Sequence, residues 1–142
     1  MVPPRICARM TRIVAGTDSA ETSEKLCDYL ESRLTEADEV HVLNSLHGGN
    51  DEEMVEQGRE ALSVFEDRLG ETFDVETEQN TNASDPAHDL LTAADETDAD
   101  EIALGLTQKR SPAQKVLFGS NTQSVLMQTR HPVVGVPLRK SR

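Results

Sequence analysis

The sequence contains no Trp, one Tyr and three Phe in 142 residues. Its core therefore has to be built from Val, Leu, Ile and Ala. There are two cysteines, Cys7 and Cys27, with neither a C-x-x-C pattern nor metal-ligand spacing, which argues against a disulfide framework and against a zinc site. No apolar run approaches the roughly 20 residues of a membrane span. No hydrophobic secretory region follows the start. The expectation is a cytoplasmic protein with no membrane partner. The most uneven absence is that of carboxylates: residues 102–142 contain no Asp or Glu, whereas the first 101 residues hold all 26. Lys109, Arg110, Lys115, Arg130, Arg139, Lys140 and Arg142 give that segment a formal charge of +7, against −19 for the rest and −12 overall. A carboxylate-free stretch in so acidic a chain is where an anion can approach.

What is present fits one domain. A chain of this length buries roughly 70% of the surface that it exposes when unfolded. The carboxylates are dispersed over helices and loops, so they form a solvated acidic coat and not an acidic tail. Only four of the 14 basic residues are Lys. This acidic, Lys-poor, aromatic-poor surface resembles that of salt-adapted proteins from halophilic archaea, in which a Debye length of about 3 Å at 1 M salt screens the self-repulsion. The net charge argues against nucleic acid as a partner.

Residues 1–9 have two prolines, two arginines and no periodicity, and are expected to be a disordered or mis-started extension, with Met10 the start of the domain that fills 10–142. From Thr11 onward, short apolar runs alternate with helical periods. Strands are predicted at 12–16, 40–43, 73–77, 101–104 and 133–136. Helices are predicted from Leu26, Leu30, Leu34 and Ala37, from Met54, Ala61, Leu62, Phe65 and Leu69, from Ala87, Leu90, Leu91 and Ala94, and over 120–128. Gly70 is expected to close the second helix as a left-handed residue, and Ser84-Asp85-Pro86 to open the third. The βαβαβαβαβ order predicts a single three-layer α/β domain with a five-stranded parallel sheet. In such sheets, ligands bind beyond the carboxyl ends of the strands, where the strand order reverses.

The carboxylate-free segment runs from the end of the fourth strand at Gly105 to the start of the last helix at Ser120. Free N–H groups at a helix start suit phosphate, Gly105 and Gly119 permit close approach, and Lys109, Arg110 and Lys115 add charge. Neither a Walker A loop nor a dinucleotide G-x-G-x-x-G is present. A second reading stands beside phosphate binding. Ser111-x-x-Gln114 and Ser120-x-x-Gln123 both fit capping boxes, and Gly119 fits the C′ position of a short helix over 112–118.

At these residues the chain resembles the universal stress protein (UspA-type) family. Gly105 and Gly119-Ser120 match the outer elements of its G-x-x-G…G-[ST] signature. Asp95 to Gly105, His131-Pro132 and Asp18-Ser-Ala-Glu-Thr-Ser-Glu24 also look like it, so the resemblance spans 11–137. Gln108 stands in place of the second glycine, the Gly105–Gly119 interval is one residue longer, and Ser19 replaces a glycine. The resemblance implies a Rossmann-like, adenine nucleotide alpha hydrolase-like fold. It also implies a site for ATP or another adenine nucleotide, with Mg²⁺ only as phosphate counter-ion. Carried over, the site is Asp18, Ser45 or Leu46, Gly105, Gly119, Ser120 and Asn121, with Lys109 and Arg110 adjoining. Gln108 either obstructs the phosphate path or hydrogen-bonds to it. The family also implies a homodimer through the last strand, Val133 to Val136, and an as yet unidentified protein partner. The alternatives are a nucleotide-free interaction protein and a slow ATP-hydrolysing enzyme; the reading that the chain is no enzyme is favoured, because nothing supplies a nucleophile with an adjacent base.

Other residues have plainer readings. Asp18-x-x-Glu21 fits a helix cap as well as a ligand contact. His41 and His47 share no face of a regular element, His88 is a solvated helix residue, and His131 is a turn residue. Cys27 lies beside the apolar stripe as a small core residue.

Overall fold

A computed structural model describes residues 10–46, 51–80, 85–106, 109–110, 116–117 and 120–138. The strands are β1 (Arg12–Gly16), β2 (Glu39–Ser45), β3 (Asp74–Asn80), β4 (Glu101–Leu106), β5 (Lys109–Arg110), β6 (Val116–Leu117) and β7 (Val133–Pro137). The helices are α1 (Ala20–Arg33), α2 (Glu52–Leu69), α3 (Pro86–Thr97) and α4 (Ser120–Gln128). The five long strands form one all-parallel sheet in the order β3-β2-β1-β4-β7, and β5 and β6 pair antiparallel as a separate two-stranded sheet. The chain is thus a single Rossmann-like α/β domain, as the alternation of patterns predicts.

Strand periodicity divides the core between the two faces of the sheet. Ile13, Ala15, Val40, Val42 and Ala103 pack with Leu26, Cys27 and Leu30 of α1 and with Leu62, Phe65 and Leu69 of α2. Val14, Leu43, Ile102 and Leu104 pack with Ala87, Leu90, Ala93 and Ala94 of α3 and with Val125 of α4. Three of the helices start on side-chain caps: Ser19 accepts from Thr22 N–H, Asp51 from Glu53 N–H, and Asp85 from Ala87 N–H. Pro86 occupies the first turn of α3, where its missing N–H has no partner to lose.

Several boundaries differ from the sequence expectation for local reasons. The first helix ends at Arg33, so Leu34 is its C-cap and Ala37 lies in a turn. That turn is organised by Asp38, which is buried and accepts from Thr11 N–H (2.8 Å), Thr35 N–H (2.7 Å) and the Thr35 hydroxyl. Burial alone would raise its carboxyl pKa; these donors outweigh burial and hold it below its ordinary value. Gly70 stays right-handed (φ −63°, ψ −26°) and caps α2 through its N–H to Glu66 O. The left-handed cap is Asp98 of α3 (φ 55°, ψ 50°). Met54 is exposed and takes no part in the core. Val116 and Leu117 are strand, not the end of a 112–118 helix; residues 111–115, 118 and 119 lie outside the described residues, as do 1–9.

The α1–α2 seam carries one guanidinium among three carboxylates. Arg68 donates to Glu24 Oε1 (2.8 Å), Asp28 Oδ1 (2.9 Å) and Glu31 Oε1 (2.9 Å), and also to the Glu24 carbonyl. The three acidic side chains are about half exposed, so each pair is worth little by itself. Removing the cation leaves them facing one another on α1. Arg68→Ala is expected to cost about 1 kcal/mol in low salt and clearly less in 1 M salt. Urea midpoints at the two salt concentrations read this difference.

Cys27 lies behind that seam, fully buried. Burial pushes its thiol up to about 12, with Arg68 opposing and Glu24, Glu31 and Asp28 adding to the shift. The thiolate is the reactive form. In a Cys7→Ser background, native protein at pH 8 is expected to leave a colourimetric thiol reagent unreacted until denaturant is added. The linkage has a definite sign. The folded thiol keeps its proton where the unfolded one, near 9, has lost it. Its stabilising contribution is therefore complete below pH 9 and falls as pH rises towards 12.

Candidate functional site

Strand order reverses at β1: the chain moves from β1 to β2 on one side and later places β4 on the other. A cavity of about 370 Å³ opens there, at the carboxyl ends of the three strands. Gly16, Thr17 and Asp18 follow from β1, Leu43 and Ser45 come from β2, and Leu104 and Gly105 from β4. The first turns of three helices reach it through Thr22 of α1, Pro86 of α3, and Asn121 and Thr122 of α4. Leu90 and Leu138 complete the lining. Each of those helix starts turns a partial positive charge towards the cavity.

The residue types follow from crowding. A Cβ at Gly16 would lie 2.9 Å from both Leu90 methyls, and one at Gly105 would lie 2.9 Å from Leu138 and 3.0 Å from Thr22 Cγ2. Thr17 is buried and held from every side. Its N–H donates to Leu43 O (3.1 Å), its carbonyl accepts from Asn44 Nδ2 (2.9 Å), and its hydroxyl lies 2.6 Å from Ser23 Oγ. Ser23 Oγ donates onward to Ala61 O (2.7 Å), which fixes the hydroxyl pair to the backbone of α2. Asp18 is exposed and accepts from the Thr22 hydroxyl (3.1 Å). Since Ser19 is the cap, Asp18 is not tied to the helix backbone in that role, and its carboxylate stays at the cavity mouth.

Of the ten candidate site residues, the cavity brings together Asp18, Ser45, Gly105 and Asn121. Leu46 is buried beside it, with its N–H on Asn80 O (2.9 Å). Lys109 and Arg110 form β5, opposite Leu117 and Val116. Ser120 is the first residue of α4. Gln108 and Gly119 lie outside the described residues, as do Lys115 and His47. Leu43, Leu90 and Leu104 are cavity residues that periodicity assigns simply to the core; their only further signal is position, at or near the carboxyl end of the sheet. Thr22 and Thr122 carry no signal beyond a place in a helix's first turn.

The remaining histidines stand away from the cavity lining. His41 lies between Glu76 (3.6 Å) and Glu78 (3.1 Å). His131 is more than a turn residue, since its ring bridges Ala99 O and Asp95 Oδ1, each at 2.9 Å. Among the described residues, no helix is long and apolar enough to cross a membrane.

A doubly wound α/β domain with a cleft at its switch point is an architecture that receives small ligands at strand ends. The family follows from comparison: the chain belongs to the universal stress protein family, whose model matches residues 10–137. A universal stress protein from Archaeoglobus fulgidus is 29% identical, with a TM-score of 0.67 over 90% of this chain and 98% of that one. A structure of the A. fulgidus universal stress protein in complex with dAMP is 24% identical (TM-score 0.59, 90% and 98% covered). A family member from Arabidopsis thaliana with AMP bound shares the fold at 13% identity (TM-score 0.64, 89% and 90% covered). No curated protein sequence is similar enough to count as a match.

Proposed function

We propose that this protein is a cytoplasmic stress-response module that binds an adenine nucleotide, ATP or a shorter relative, in the cleft at the ends of β1, β2 and β4. The observation that carries the reading is the cleft's two-sided lining. On the β2–α3 side, Leu43, Pro86 and Leu90 offer an apolar slot for a base. On the β4–α4 side, Gly105, Asn121 and Thr122 combine a bare backbone with a helix start, which suits phosphate. Asp18 and Thr22 lie between, within the reach of a ribose hydroxyl. The +7 charge of residues 102–142 favours the same ligand sign. Relatives of the same fold with dAMP and AMP support the ligand class.

Turnover is absent or slow in this reading: the cleft hydroxyls of Ser45 and Thr22 meet only the weakly basic carboxylates of Asp89 and Asp18, and among the described residues the lining holds no His or Lys to activate them. Mg²⁺ enters as a companion of the phosphates. The protein works as a homodimer through β7, whose Val133–Pro137 edge is short and apolar. Titration calorimetry of purified protein with ATP in high salt tests the reading. Measurable heat is expected, together with thermal stabilisation equivalent to roughly 2.7 kcal/mol once ATP reaches a hundred times its Kd. The absence of both heat and a melting shift at millimolar ATP overturns it.

A further inference from the structure

Ser45, at the carboxyl end of β2, lines the cleft, and its hydroxyl donates to Asp89 Oδ2 at 2.5 Å. The same oxygen accepts from the side-chain amide of Asn80 at 2.9 Å. Asp89 sits in the opening turns of α3, one helical turn past the Asp85 cap, and its N–H is bonded to Asp85 O. An ionised carboxylate only accepts, and a serine hydroxyl has one proton. That proton is committed to Asp89, so what Ser45 Oγ can offer the cleft is lone pairs. The carboxylate behind it adds negative charge at the same point.

We infer that Ser45 and Asp89 together read the base by its exocyclic amine, accepting from the 6-amino group of a purine and disfavouring a 6-oxo group. This rests on the adenine-nucleotide reading of the cleft. The 6-amino group presents N–H donors to Ser45 Oγ. A 6-oxo purine presents an oxygen to the same lone pairs, so both acceptors go unpaired in a partly dry site. Asp89 bonds to Ser45 and does not itself line the cleft, so it is a positioning residue: it sets which way the Ser45 proton points.

AMP and IMP differ at position 6 and at the adjoining N1 proton, which makes them the probes. Wild-type protein, titrated with each in the same high salt, is expected to bind AMP at least tenfold more tightly. Asp89→Ala removes the oxygen that accepts from both Ser45 and Asn80, so the serine hydroxyl can turn its proton towards the cleft. The AMP-to-IMP ratio is then expected to fall towards one, mainly because IMP binds better. A purely structural role for Asp89 would weaken both ligands together and leave the ratio unchanged. Because Asp89 ties β2, β3 and α3 together, Ser45→Ala serves as a second variant; it is expected to lose the discrimination while still binding AMP. Equal binding of AMP and IMP by wild type, or an unchanged ratio in both variants, overturns this inference and leaves the proposed function standing. Binding of neither nucleotide overturns both.

Discussion

Asn44→Asp is expected to cost roughly 3–5 kcal/mol of stability at pH 7, although it changes the side chain by little more than one atom. Asn44 is 2% exposed. Its Nδ2 donates to Thr17 O (2.9 Å), and its Oδ1 accepts from Gln79 Nε2 (3.1 Å), which also donates to Val55 O of α2. The amide therefore joins β1, β2, β3 and α2 inside the molecule. In the variant an oxygen faces the Thr17 carbonyl, and a carboxylate is buried with one donor. Both burial and the carbonyl favour the neutral acid, so its folded pKa rises above the unfolded value of about 3.9. The folded variant then holds a proton at pH values where the unfolded chain has released it. Its stability relative to wild type should recover as pH falls through the raised pKa and level off below about 3.9. Protonated, the new side chain can donate to Thr17 O as the amide does. Urea midpoints of both proteins between pH 8 and pH 5 check this: the deficit should narrow. A deficit that does not depend on pH would show that Asn44 acts by shape and not by its donor.

Asn44 also marks where sequence reasoning stopped. The apolar run Val40 to Leu43 is legible as a strand, and the two polar residues after it look like the strand's exit. The strand in fact continues to Ser45, because Asn44 finds partners on both sides and can be buried at little cost. Nothing local signals those partners: Thr17 is 27 residues away and Gln79 is 35. The same holds at the other edge, where Phe73 to Thr77 reads as half-exposed alternation but the strand starts at Asp74 and runs three residues beyond Thr77, held by its ladder to β2.

Features that depend on local chemistry were readable. Pro86 after Asp85 sets the start of α3, Ser120 to Gln128 matches α4 at both ends, and β1 ends at Gly16. The strand order places Asp18, Ser45 and Gly105 at one rim of the sheet, which is why motifs far apart in sequence converge. What periodicity could not separate is a core leucine from a ligand-facing one. Leu90 belongs to the α3 packing cluster and lines the cleft at once, and both duties impose the same residue type.

Gly58 gives the second large expectation, and here the usual helix rule should fail in sign. Replacing a mid-helix glycine with alanine ordinarily stabilises by about 1 kcal/mol. Gly58→Ala is instead expected to destabilise by about 2–3 kcal/mol, the balance of that gain against overpacking and lost buried hydrogen bonds. A Cβ there would run into Asn44 Oδ1 and come within 2.7 Å of Asn44 Cγ and 2.5 Å of Gln79 Nε2. Two escapes are open. The Asn44 amide can swing away and abandon Thr17 O, or α2 can lift from the sheet and loosen Ala61, Leu62 and Phe65. Both reach the cleft, because Thr17 lines it and is held by Asn44 directly and by Ala61 through Ser23. A double-mutant cycle with Asn44→Ala identifies the cause. If the overlap with the amide is what matters, truncating the amide removes the clash. The double variant should then be more stable than the two single losses predict, by about 1 kcal/mol or more. Additive losses in urea unfolding would place the cost of Gly58→Ala elsewhere than at Asn44.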